Sequence, residues 1–145
     1  MEKIKVLFVC IHNSARSQMA EAFLNVLGKG KFEAESAGLE PGVLNPTVVE
    51  VMKEIGIDIS KNQTKSVFDF YKAGKRYDYV FTVCDEANGE KCPIFPGTLK
   101  TIHIGFPDPS SLVGDNKLEQ TRKIRDEIKT KIQEFVYIKC GGCIC

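Results

Sequence analysis

The chain has 145 residues, of which 43% are hydrophobic and 27% charged, and its formal net charge is +1. This is the length of one domain that can bury a core, and the composition is ordinary for a globular protein. The near-neutral charge gives no reason to expect a nucleic-acid or anionic-membrane partner. No apolar run approaches the roughly 18 to 20 residues that a membrane-spanning helix needs.

The six cysteines are unevenly distributed. One stands alone, two share one segment and three crowd the last residues: Cys10; Cys84 and Cys92; Cys140, Cys143 and Cys145. A secreted disulfide framework would spread its pairs through a smaller chain. The N-terminal sequence MEKIKVLFVC is that of a strand rather than a cleavable leader. These features predict a cytoplasmic protein with reactive thiols.

The first elements alternate between strand and helix. Residues 3–9 are nearly continuous in apolar character, which is typical of a parallel strand covered on both faces. The spacing of apolar residues predicts a helix over about residues 15–27, ended by Gly28 and Gly30. Residues 31–37 are predicted to form a second, short strand.

Asn45 begins the next predicted helix, because an N-cap residue is followed there by proline at the first helical position. This helix is predicted to stop at Gly56. Its predicted buried residues are Val48, Val51, Met52 and Ile55. Residues 60–65 are polar and predicted to be a loop, and residues 66–72 a short helix.

The second half of the chain repeats this alternation. Strands are predicted over residues 77–83 and 100–104, and a surface loop over residues 105–115, which contain two prolines and two glycines. A long helix is predicted over about residues 116–137. Its inward-facing residues are predicted to be Ile124, Ile128, Ile132 and Phe135.

This order of elements implies right-handed crossovers and a parallel sheet with helices on both faces. Ligands of such sheets bind at the carboxyl ends of the strands. Cys10, Cys84 and the loop that carries Asp108 each follow a predicted strand, so we expect them at that edge. Residues 1–138 are predicted to be a single domain, and residues 139–145 a cysteine-rich tail.

The loop from Cys10 to Arg16 joins the first strand to the first helix. Backbone N–H groups converge in such a loop, and the helix dipole adds partial positive charge there. A tetrahedral oxyanion fits this site, Arg16 can grip two of its oxygens, and the positive surroundings favour a thiolate at Cys10. The alternative is a buried thiol and a solvated arginine without function. The predicted oxyanion-binding loop comprises Ile11, His12, Asn13, Ser14, Ala15, Arg16 and Ser17.

Further along the chain, four sequence blocks follow this loop in an order that resembles a known family. They are SAGLEP at residues 36–41, NPTVVEVMKEIGIDIS at 45–60, TVCDEANGEKCPIFPG at 82–97 and GFPDP at 105–109. The Cys10 loop resembles the signature of the low-molecular-weight protein tyrosine phosphatase fold. Over about residues 3–136 the chain is more closely similar to the thioredoxin-coupled arsenate reductases built on that fold. The resemblance implies a flavodoxin-like, three-layer α/β fold with a four-stranded parallel sheet.

The resemblance also implies the roles of the acid and of the thiols. Asp108 would be the general acid, because thiolate attack on arsenate or a phosphate ester expels an oxygen that needs a proton. Cys10 would attack arsenate, Cys84 would attack Cys10 and release arsenite, and Cys92 would then attack Cys84. Thioredoxin, or glutaredoxin in its place, would reduce the resulting disulfide, and no tightly bound cofactor is implied. Two incidental buried cysteines are the alternative for Cys84 and Cys92.

Some members of the resembled family hold potassium beside the loop through an asparagine, a glutamate, a serine and an aspartate. Asn13, Glu21 and Ser36 match three of these positions, but Lys65 falls at the fourth. An ammonium would oppose a bound cation or replace its charge. We therefore expect no potassium dependence and no metal site.

The tail, KCGGCIC, matches no part of the resembled family. It could be a further dithiol relay, a site for a soft metal ion or arsenite, or an extension without a role. Cys140 and Cys143 alone are too few for a closed structural zinc site.

Three functions compete at this point. Arsenate reduction is favoured by Cys84 and Cys92, because a phosphatase needs only one thiol and water. Ser110, Ser111 and Leu112 weaken the hypothesis of a phosphotyrosine phosphatase. They follow Asp108 where such enzymes usually carry aromatic residues. An oxyanion-binding redox sensor would not need Asp108 at all. We expect a monomer that acts on arsenate or phosphate.

Overall fold

The computed structural model describes residues 3–83, 100–109, 112 and 114–139. Within them the sheet has four parallel strands in the order β2-β1-β3-β4. The strands are β1 (Ile4–Cys10), β2 (Phe32–Gly38), β3 (Tyr79–Thr82) and β4 (Lys100–His103). The helices are α1 (Arg16–Leu27), α2 (Pro46–Lys53), α3 (Val67–Lys72) and α4 (Lys117–Lys139). The predicted flavodoxin-like α/β fold with a parallel sheet is confirmed.

Strand β1 lies in the middle of the sheet, and both of its faces are buried. Val6 and Phe8 belong to the core shared with α1, α2 and α4, whereas Leu7 and Val9 pack with Val67 and other residues on the side of α3. Alternate side chains of a strand point to opposite faces, so a continuous apolar run is what a two-sided core requires.

Helices α1 and α4 form the thicker layer, and they contact each other more than any other pair of helices. The predicted inward face of α4 is confirmed by the burial of Ile124, Ile128, Ile132 and Phe135. The ring of Phe135 packs against three aromatic rings of the sheet, with centroids 5.0 to 5.6 Å apart. It meets Tyr79 and Phe81 in an edge-to-face arrangement and Phe32 in a tilted one. Among the described helices, none is long and apolar enough to cross a membrane.

Asn45 begins α2 as predicted, and its side chain accepts from the N–H groups of Thr47 and Val48. The predicted burial of Ile55 is wrong: the helix ends at Lys53, and Ile55 is 36% exposed. The cause is the turn over residues 54–56, which replaces a further turn of helix and ends at Gly56 with a φ of +83°.

Strand β3 is shorter than the predicted strand over residues 77–83: it begins at Tyr79 and ends at Thr82. Asp78 and Val83 nevertheless keep backbone bonds to β1, at Lys5 and Val9. The other predicted cysteine sites lie outside the described residues: Cys84, Cys92, Cys140, Cys143 and Cys145. Ser110 and Ser111 also lie outside them.

Candidate active site

Cys10 is the last residue of β1 and is 2% exposed. Its sulfur accepts from the backbone N–H of Asn13 at 3.1 Å and lies 2.9 Å from the hydroxyl of Ser17. Donors that point at a sulfur favour the thiolate over the thiol, so this environment suits a nucleophile.

Asn13 adopts the left-handed conformation, with φ of 53°, among the described residues the only non-glycine one at positive φ. Gln18 donates to both its backbone and its side-chain oxygen at 3.1 Å, and Lys65 N–H donates to its Oδ1 at 2.9 Å. The Asn13 amide donates to Ser17 Oγ at 2.8 Å. These bonds offset the cost of the conformation and aim the Asn13 N–H at Cys10.

The segment after β2 lies alongside the loop. Leu39 and Glu40 donate backbone bonds to the carbonyls of Cys10 and Ile11. Gly38 allows this approach, because a Cβ there would lie 2.7 Å from the Ile11 carbonyl oxygen and 2.8 Å from the Asn13 nitrogen. His12 points outward and is exposed, with Nδ1 2.9 Å from the Glu40 carbonyl oxygen. The loop is therefore held from β2 as well as from α1.

Arg16 is the first residue of α1 and is 3% exposed. Its Nη1 donates to the Phe106 carbonyl at 3.1 Å, and its Nη2 lies 3.7 Å from Asp108 Oδ2. Asp108 remains a quarter exposed. The loop after β4 therefore delivers a carboxyl group, with access to water, to the Arg16 guanidinium.

We call the loop of residues 10–17 the anion cradle, and the N-terminus of α1 completes it. Ala15 occupies the N-cap position and has no side-chain oxygen that could cap the helix. The first-turn N–H groups and the helix dipole face the loop, which is the arrangement that binds a phosphate-like anion. Ser14 is buried, and its carbonyl accepts from Asn45 N–H at 2.9 Å, which ties the loop to α2.

A second polar cluster lies behind the loop. Glu21 accepts from Ser36 Oγ at 2.9 Å, and its Oε1 lies 3.6 Å from the Lys65 ammonium. Burial raises the pKa of the Glu21 carboxyl, and the positive charge of Lys65 partly opposes that rise. Asn13, Glu21, Ser36 and Lys65 thus lie together, as their match to the potassium-binding positions of the resembled family implies.

Within the described residues, Cys10 contacts Asn13 and Ser17 of its loop, and Asp108 lies near Arg16 at the end of that loop. Cys84 and Cys92 lie outside the described residues, so their predicted positions stay a prediction. The sequence analysis missed Gln18, which is fully buried, and the Phe106 carbonyl. A sequence signal for Gln18 exists: it lies three residues before Glu21, so the two polar side chains share one face of α1.

The family model of the low molecular weight phosphotyrosine protein phosphatases matches residues 5–139. The chain belongs to this family. The arsenate reductase of Bacillus subtilis (strain 168) is 40% identical over 137 residues, which are 93% of this chain and 96% of that protein.

Two solved structures of arsenate reductases share this fold. An arsenate reductase in its phosphate binding state superposes with a TM-score of 0.77 at 33% identity, covering 92% of this chain and 96% of that one. A thioredoxin-dependent arsenate reductase from Corynebacterium glutamicum superposes with a TM-score of 0.68 at 30% identity, covering 94% of this chain and 63% of that one.

Proposed function

We propose that this protein reduces arsenate to arsenite. The observation that carries the proposal is the buried Cys10 thiol inside an anion cradle with Arg16 and Asp108, in a chain that matches named arsenate reductases along nearly their whole length. Arsenate and phosphate have the same tetrahedral shape, so the cradle selects the class of anion and the thiols select the reaction.

In the first step the Cys10 thiolate attacks arsenic. An S–As bond forms, the bond from arsenic to one hydroxyl group breaks, and the leaving hydroxyl takes a proton from Asp108 and departs as water. Arg16 and the backbone N–H groups neutralise the negative charge that the oxyanion carries through this step. The quarter exposure of Asp108 lets it regain its proton from solvent.

In the second step Cys84 attacks the sulfur of Cys10. The S–As electron pair stays on arsenic, which leaves as arsenite, and a Cys10–Cys84 disulfide forms. Cys92 then attacks Cys84, which frees Cys10 and produces a Cys84–Cys92 disulfide. Thioredoxin, the donor named for the Corynebacterium relative, or else glutaredoxin, reduces that disulfide.

We place this chemistry in the cytoplasm, where such thiols are kept reduced. We propose that the protein acts as a monomer and that its role is arsenic detoxification.

Phosphomonoester hydrolysis is the second candidate. The family is named for phosphotyrosine phosphatases, and Cys10, Arg16 and Asp108 are sufficient for a phosphocysteine that water hydrolyses. We propose it as a residual activity, since it makes no use of Cys84 and Cys92.

We further propose that the enzyme needs no potassium. The Lys65 ammonium lies beside Glu21, where a bound cation would meet its repulsion. Equal turnover in potassium chloride and in tetramethylammonium chloride supports this; a requirement for potassium overturns it.

We also propose that residues 1–138 form one domain and that residues 139–145 are a separate tail. Truncation after Lys139, assayed with limiting thioredoxin, tests the role of the tail.

The deciding experiment couples NADPH oxidation to thioredoxin reductase and thioredoxin, with and without arsenate. The parent should show arsenate-dependent oxidation, and Cys84→Ser should lose it while keeping p-nitrophenyl phosphate turnover. No arsenate-dependent oxidation in the parent, together with strong phosphatase turnover, would sink the reductase assignment and leave the phosphatase.

A further inference from the structure

Residues 62–65 lie against the polar face of α1. Asn62 donates to Gln18 Oε1 at 3.1 Å, and the Gln63 carbonyl accepts from Gln18 Nε2 at 3.0 Å. One turn further along, Glu21 Oε1 lies 3.6 Å from Lys65 Nζ. Lys65 Nζ also donates to the Gln63 carbonyl at 3.3 Å. The ammonium thus ties its own segment to the helix.

The backbone of Lys65 connects this segment to the thiol. Its N–H donates to Asn13 Oδ1 at 2.9 Å, and its carbonyl accepts from Gly38 N–H at 2.8 Å. A backbone N–H can only donate, so it fixes which end of the Asn13 amide faces Lys65. The Asn13 NH₂ group then donates to Ser17 Oγ, which lies 2.9 Å from Cys10 Sγ. A hydroxyl that accepts on one side turns its hydrogen toward a thiolate on the other.

We propose that Lys65 is a positioning residue for the Cys10 thiolate, its side chain acting as a tethered cation that anchors residues 62–65 against Glu21. The anchored segment orients Asn13, and Asn13 directs both its own N–H and the Ser17 hydroxyl at the sulfur. This inference rests on the proposed function only in taking Cys10 as the nucleophile.

The charges around the cluster give the expected direction. Burial raises the pKa of Glu21, Lys65 lowers it, and Glu35 on β2 raises it further. Without Lys65, Glu21 either keeps a negative charge with no cation beside it, which disfavours a nearby thiolate, or takes up a proton. In both cases the ion pair that anchors residue 65 is lost. Arg16, Asp108 and the exposed His12, which face the loop from other sides, are unchanged.

The test measures the pH profile of Cys10 alkylation by iodoacetamide on the full chain, with peptide mass spectrometry separating Cys10 from the other cysteines. In Lys65→Met the midpoint should rise by about 0.3 to 1 pH unit, since a stabilising charge and an oriented donor are both weakened. Lys65→Arg, which keeps the charge, should restore the parent midpoint. Lys65→Gln provides a second neutral variant if Lys65→Met folds poorly.

Lys61→Met is the matched control, because Lys61 is exposed on the same loop and its loss changes the net charge equally. Its midpoint should equal that of the parent. A parent-like midpoint in both neutral Lys65 variants overturns the inference, as does an equal rise in Lys61→Met. Alkylation requires no turnover, so this result stands or falls separately from the arsenate assay.

Discussion

Arg16 and Arg125 are both buried, and each bonds a backbone carbonyl from a distant part of the chain. Arg16 donates to Phe106 at 3.1 Å, and Arg125 donates to Val51 at 2.9 Å. The surroundings of the two guanidinium groups differ. Arg125 contacts carboxylates at hydrogen-bond distance, 3.0 Å to Glu54 and 2.9 Å to Asp126, whereas Arg16 Nη2 lies 3.7 Å from Asp108 Oδ2.

The difference follows from the elements that carry the two side chains. Arg125 joins α4 to the last turn of α2, where helix carbonyls need donors from outside the helix. Arg16 begins α1 at the end of the loop that follows the central strand and the buried Cys10 thiol. Burial of an arginine therefore does not indicate function by itself. The strand end and the nearby nucleophile are what distinguish Arg16.

Replacing each arginine by lysine should separate the two roles most strongly. Lysine keeps the charge but loses the planar fork that grips two oxygens of an anion. In Arg16→Lys, kcat/KM for arsenate should fall by about 10²- to 10³-fold, because an oriented pair of donors is lost from the transition state. Arg125→Lys should keep the parent kcat/KM in the coupled NADPH assay. Equal losses in the two variants would mean that the guanidinium of Arg16 has no special part in catalysis.

Asp108→Asn should reduce turnover by about 10²-fold, since asparagine keeps the size of the side chain and its contact with Arg16 but cannot supply the proton. Steady-state kcat for arsenate and for p-nitrophenyl phosphate measures the loss. Asp115→Asn, an exposed change near the start of α4, is the control and should be silent. Unchanged rates of arsenate-dependent oxidation in Asp108→Asn would show that Asp108 is not the general acid.

Arg125→Met should lower stability while preserving catalysis. The Val51 carbonyl would lose its side-chain donor, a cost of about 1 to 3 kcal/mol, which corresponds to a fall in Tm of about 3 to 10 °C for a chain of this length. Urea unfolding gives the free energy, and the coupled assay gives the activity. Arg122→Met, on the exposed side of the same cluster, should cost less. Loss of activity without loss of stability would remove the contrast between the two arginines.

Local sequence signals predicted the order of the strands and helices correctly. Asn45–Pro46 begins a helix in both the sequence pattern and the structure because capping depends on neighbouring residues alone. Ile55 was assigned wrongly because the apolar period continues in the sequence past Lys53, where the helix has already ended.

The bonds behind the loop could not be predicted from spacing. Gln18 and Asn62 are 44 positions apart, Lys65 and Asn13 are 52 apart, and Arg16 and Phe106 are 90 apart. Such pairs form only once the sheet and α1 bring distant segments together. Periodicity reports which face of an element is apolar, and it carries no information on which loop covers a polar face.

The smallest expected effect is a difference in how Tm depends on pH between variants of two carboxylates. They are Glu54, beside Arg125, and Glu21, behind the Cys10 loop. The Arg122 hydrogen bond lowers the pKa of Glu54 below 4.5, so its stabilising effect is present above about pH 4.5 and is lost as the pH falls through the lower, folded value. Burial raises the pKa of Glu21, so its contribution is present at low pH and is lost as the pH rises through the folded value. Glu54→Gln should therefore lower Tm more at pH 7 than at pH 3, whereas the Tm of Glu21→Gln relative to the parent should rise between pH 4 and pH 8. Parallel pH profiles of Tm for the two variants would show that burial does not raise the pKa of Glu21 relative to that of Glu54.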